Sequence, residues 1–167
     1  MTLIVEDGSN VANANSYVSI ADARSYAELR GVTLPADDAD VEVLLIKAMD
    51  YIEAQRDRYQ GRKSYDTQAL QFPRYDVYVD SLLVGSTTIP RELRYAQMAL
   101  AIEAQSSDLM PSRLPSDKGP VTQESVEGAV SVSYANTGRL SSVPAFAKAD
   151  ALLTPLMKRN GLTVVRS

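Results

Sequence analysis

The sequence predicts a mainly α protein: a small bundle of about four helices with a β-hairpin embellishment and an extended C-terminal tail. Three observations predict it. Apolar residues recur at helical spacing in four separate stretches. One stretch near the C-terminus alternates apolar and polar residues instead. At 167 residues and 45% apolar, the chain is long enough and apolar enough for one domain with a core. We read residues 1–167 as that single domain. Within it, 57–88 is a long connecting loop, 120–135 a β-hairpin and 160–167 a C-terminal tail.

The elements follow in order. "TLIV" at 2–5 is β-prone and ends in the turn cluster "EDGSN", which suits an edge strand. "SIAD" then opens a helix, with Ser19 as N-cap and Asp22 three residues on, a capping-box arrangement. Ile20, Ala23 and Ala27 share a face, and Gly31 stops the helix. The second helix lies in "DDADVEVLLIKAMDYIEAQR", where Val41, Leu44, Leu45, Ala48, Met49 and Ile52 have helical spacing. Its leading acids, Asp37, Asp38 and Asp40, serve as a cap and complement the helix dipole. A third helix follows "SLLVGSTTIP", with Thr88 as its N-cap and Pro90 near its first turn. It is apolar over much of its circumference between Tyr95 and Ile102, so it should be central. Val130, Val132 and Tyr134 alternate with serines, and "VTQESV" can pair with them across Glu127-Gly128. The last helix runs from about Pro144 to Arg159, and Pro155 should bend or divide it.

Composition narrows the chemistry. There is no cysteine and no histidine, which removes thiolate sites, disulfides and the commonest general base. "GRKS" at 61–64 lacks the glycine, the preceding strand and the following helix of a phosphate loop. We therefore expect no enzyme and no catalytic, metal or cofactor site. No apolar run approaches the roughly 18 residues of a membrane span, and "MTLIVEDGSN" lacks the basic and apolar regions of a signal peptide. The expectation is a soluble protein of a reducing compartment, or of a particle assembled there.

Charge is unevenly spread. The net charge is −4, yet residues 56–74 hold five basic and two acidic side chains, a local +3 that leaves −7 for the remainder. This stretch carries Arg56, Arg58, Tyr59, Arg62, Lys63 and Tyr65. Three readings fit it. Tyr59 and Tyr65 can stack on the bases of a single strand while the cations meet phosphates. The arginines can pair with Asp57 and Asp66 on a solvated loop. The same residue types also suit a protein–protein contact. The acidic remainder favours the last, a subunit or tail-component interface. Leu70, Phe72 and Pro73 form an apolar end that should anchor the loop on the bundle.

Five pieces in order carry a family resemblance: "NSYVSIADARSYAELRG", "LLIKAMDYIEAQRDRYQGRK" with "QALQFPR", "IPRELRYAQMALAIEA", "GPVTQESVEGAVSVSY" and "ADALLTPLM". Together they cover nearly the whole chain. The sequence resembles the head–tail adaptor (connector) proteins of tailed bacteriophages, a family often labelled DnaT-like single-stranded-DNA-binding protein. That family usually has Trp-Pro-Arg where this chain has Phe72-Pro73-Arg74. The resemblance implies a structural virion protein of the head–tail neck, assembled in the host cytoplasm. It implies a ring, typically a dodecamer, between the portal protein and a stopper, tail-tube or tail-nozzle protein. Double-stranded DNA would pass through the lumen without sequence-specific binding, and no membrane would be involved. By position, Leu156, Met157, Lys158, Arg159, Leu162, Val164, Val165 and Arg166 would dock on the portal. The alternative is a single-stranded-DNA-binding accessory protein of phage replication.

Overall fold

The structure, a computed structural model, describes residues 2–111, 123–126, 130–133 and 146–158. The chain divides into two compact units, one of residues 1–109 and 145–167 and one of residues 110–144.

The first unit is built on α1 (Ile20–Glu28), α2 (Asp38–Ala54), α3 (Arg91–Glu103) and α4 (Ala147–Leu153). α3 is the central helix and packs against α1, α2 and α4. Leu93, Ala96, Gln97, Met98, Ala99, Leu100 and Ala101 are all buried on it, which accounts for its nearly all-round apolar sequence. α1 starts as its sequence predicts. The Ser19 hydroxyl accepts from the Asp22 amide at 3.1 Å, and the Asp22 carboxylate accepts from the Ser19 amide at 3.4 Å. Asp37 caps α2 through the Ala39 amide at 2.9 Å. Its neighbour Asp38 takes Arg24 of α1 at 2.7 Å, so the acid cluster caps one helix and ties it to another.

Two expectations change, and the division of the last helix at Pro155 is met. α3 is preceded by Pro90 at the N-cap position, with no side-chain cap, because Thr88 is drawn into a turn in which its amide donates to the Gly85 carbonyl. The N-terminal run 2–5 makes a single bridge, Val5 to Ser16, in place of an edge strand. The cause is Glu6, 1% exposed, whose carboxylate accepts from the amides of Gly8, Asn10 and Val11 and bends the chain away. Pro155 divides the last helix: α4 ends at Leu153 and a single 3-10 turn, Thr154–Leu156, follows.

One buried polar residue organises the core. Gln97, fully buried on α3, accepts from the Tyr17 amide at 2.9 Å and donates to Ser16 Oγ at 2.9 Å and the Leu45 carbonyl at 3.2 Å. All its hydrogen bonds join separate segments, so α3, α2 and the N-terminal segment are fixed in register.

Residues 57–88 contain no α-helix. A 3-10 turn, Arg56–Arg58, leads into two minimal hairpins. β1 (Arg62–Lys63) pairs antiparallel with β2 (Arg74–Tyr75), placing Arg62 opposite Tyr75. β3 (Tyr78–Val79) pairs with β4 (Leu82–Leu83) across a turn in which Asp80 and Ser81 both have positive φ. In the second unit, β5 (Gln123–Val126) and β6 (Val130–Ser133) form the antiparallel hairpin expected from the alternating sequence.

Candidate nucleic-acid interface

The basic stretch is held to the bundle from beneath. Phe72 is 1% exposed and Leu70 7%, and Pro73 is also buried. The Phe72 amide donates to the Tyr17 hydroxyl at 2.9 Å. Gln68, buried, donates from its side chain to the Leu70 and Pro73 carbonyls while its Oε1 accepts from the Tyr65 amide. Glu53, on α2, accepts from both the amide and the side chain of Gln71. Burial pushes the Glu53 carboxyl above its usual range, against the opposing pull of those Gln71 hydrogen bonds and of Lys63. Burial likewise raises the Tyr17 hydroxyl, and the nearby Glu53 raises it further.

Arg74 belongs to this framework and not to the surface charge. Its Nε donates to the Gln60 carbonyl at 2.7 Å and its Nη2 to the Gly61 carbonyl at 2.8 Å. Its Nη1 reaches Gln71 Oε1 at 3.2 Å. Arg74 is 8% exposed, so it staples the two sides of the first hairpin together from within.

The residues expected at the surface separate into two groups. Tyr59 is a core residue, fully buried. Its hydroxyl donates to the Ile52 carbonyl at 3.0 Å, and its ring meets Phe72 edge-on at 5.3 Å between centroids. A base or partner cannot reach that ring, and Tyr59 is withdrawn from the interface. Leu156, 0% exposed, and Met157, 9%, are likewise core and not docking residues. The chain at this point is zipped to the loop. The Gln60 amide donates to the Leu156 carbonyl at 3.0 Å, Met157 bridges Tyr59, and the Lys158 amide donates to the Arg58 carbonyl at 2.7 Å. Arg159, Leu162, Val164, Val165 and Arg166 lie outside the described residues.

Arg56, Arg58 and Arg62 are exposed, Lys63 and Tyr65 half-buried, and Lys158 exposed beside them. Lys158 is brought there by the zipped segment, with its Nζ donating to the Asp57 carbonyl at 3.0 Å. Among the described residues the ion pairs are Arg24–Asp38 and Arg91–Glu92. None involves a cation of this loop, so the pairing with Asp57 and Asp66 does not form. Two surface aromatics are new. Tyr75 is 41% exposed and Tyr78 51%. The Arg62 guanidinium lies 5.6 Å from the Tyr75 ring centroid, as the β1–β2 register requires. The face therefore sets cations that form no salt bridge among the described residues beside accessible rings.

The model of the family described as "Putative DnaT-like ssDNA binding protein" matches residues 1–167. The chain belongs to that family. No curated protein and no solved structure matches it. As a family member, the chain carries its Arg/Tyr face on the two hairpins between α2 and α3, well away from the Gln97 network in sequence. The signal that could have located the two rings is "RYDVY", in which Arg74 and Val77 turn inward and leave both tyrosines outside.

Proposed function

We propose that this protein binds single-stranded DNA on the face made by β1, β2 and β3. Tyr75 and Tyr78 stack on bases, and Arg56, Arg58, Arg62, Lys63 and Lys158 meet phosphates. The observation that carries this is the Arg62–Tyr75 pair: a guanidinium with no carboxylate partner among the described residues, set against a half-exposed ring. The family description supports the same reading. The net charge of −4 does not oppose it, because strand binding depends on the local field, and this face gathers Arg56, Arg58, Arg62, Lys63 and Lys158.

Removing the pair tests it. Tyr75→Ala should weaken binding by about 1–3 kcal/mol, the usual value of one base–aromatic stack. Arg62→Ala should weaken binding by a salt-dependent amount and flatten the salt dependence by roughly 0.7 in slope. Fluorescence anisotropy with a labelled oligothymidylate reads both. Affinity unchanged in the double variant would remove this face from any DNA contact.

A second reading rests on a different observation. Leu82 is 73% exposed and Leu83 63%, and with Tyr78 they give the β3–β4 hairpin an apolar tip. Such a tip suits a protein partner. It favours the head–tail adaptor role: a ring subunit in the virion neck contacting the portal protein, a tail component and its own copies. Electron microscopy of particles from a host carrying the gene tests that role. Density at the portal vertex supports it, and virions lacking the chain would rule it out.

A further inference from the structure

Beside the Arg/Tyr face lies a cleft of about 570 Å³ lined by Gln60, Gly61, Asp76, Tyr78, Ser81 and Lys158. Its volume falls within the ~300–1,000 Å³ of small-molecule sites. Gln60 is committed to holding the wall. Its amide nitrogen donates to the Pro155 carbonyl at 2.7 Å and the Tyr78 carbonyl at 3.2 Å, and its oxygen takes the Tyr78 amide at 3.1 Å. The other lining side chains are the Tyr78 ring, the Ser81 hydroxyl, the Asp76 carboxylate and the Lys158 ammonium, which gives one of its three hydrogen bonds to the Asp57 carbonyl.

The carboxylate is the informative member. Asp76 is exposed, sits at φ +60 and has no hydrogen-bond or ion-pair partner among the described residues. An acid in a cleft meant only for phosphates would repel them. Next to a stacking ring it has a different use, since it accepts from the Watson–Crick edge of a base. Guanine offers two adjacent donors there, N1–H and the N2 amino group, which match both oxygens of one carboxylate. Adenine and cytosine offer a single amino group, and thymine offers one N–H flanked by two repelling carbonyls.

The geometry points to a guanine-selective nucleotide subsite in this cleft, with the base stacked on Tyr78, its edge on Asp76 and the adjoining phosphate near Lys158. This rests on the single-strand-binding reading and adds base preference to it. The test compares an oligothymidylate with an alternating thymidine–guanosine strand of equal length, in lithium buffer to suppress quadruplexes. The mixed strand should bind about tenfold tighter, within the range of one bidentate base contact. Asp76→Asn should abolish that preference and keep oligothymidylate binding; asparagine tolerates the positive φ, and circular dichroism checks that the variant is folded. Equal affinity for the two strands, or a preference that survives Asp76→Asn, overturns the subsite and leaves single-strand binding standing. Failure of both strands to bind overturns the single-strand reading itself.

Discussion

Tyr59→Ala should cost about 3–5 kcal/mol of folding stability, the usual range for deleting a buried aromatic. The ring is fully enclosed and packs edge-on against Phe72, and its hydroxyl donates to the Ile52 carbonyl. In a chain of this size the loss lowers the melting temperature by roughly 6–20 °C. Tyr59→Phe should cost only about 1 kcal/mol, one hydrogen bond. Tyr75→Ala, by contrast, should move stability by less than about 0.5 kcal/mol, because the ring is at the surface. Thermal melts followed by circular dichroism rank the three. An unchanged melt for Tyr59→Ala would mean that the loop is not seated on the bundle as described.

Gly61→Ala should break the first hairpin. Gly61 has φ +61, and a Cβ placed on it would lie 1.7 Å from the Tyr75 carbonyl oxygen. That oxygen belongs to backbone, so no side-chain rotation relieves the clash. The strained φ alone costs about 1–2 kcal/mol, and the overlap forces β1 from β2. Arg74 then loses the Gly61 carbonyl, and Arg62 loses its place opposite Tyr75. Hydrogen exchange should show lost protection at the Ser64 amide, which donates to the Pro73 carbonyl. Strand affinity should fall at the same time as protection. Retained protection would show that the hairpin yields without opening.

How far the sequence could be read depended on the range of the interactions involved. Caps were legible because they are local: Ser19 with Asp22, and Asp37 with Ala39, lie within one turn. The centrality of α3 was legible because all-round apolarity has one structural solution. The start of α3 was less so, since Thr88 has a competing turn partner in Gly85. The loop defeated composition. Tyr59 and Arg74 look like surface residues of a basic run, yet both are buried. Their partners are backbone carbonyls at Ile52, Gln60 and Gly61, set by the fold of the loop and not by any periodicity. Leu156 and Met157 looked like docking residues of a tail, but the segment is hydrogen-bonded to residues 58–60, nearly a hundred positions earlier. Tyr75 and Tyr78 are hard to pick out because the inward residues of "RYDVY", Arg74 and Val77, are three apart, which is not the alternation of a strand.

The measurement that bears most directly on function is the salt dependence of binding to a labelled single-stranded oligonucleotide by the intact protein. If the Arg/Tyr face meets about three to five phosphates, the logarithm of affinity should fall against the logarithm of salt with a slope of roughly −2 to −3.5. Arg62→Ala should reduce that slope. No binding at about 50 mM salt, where phosphate contacts are strong, would contradict single-strand binding and leave the apolar hairpin tip as the surface through which this chain acts.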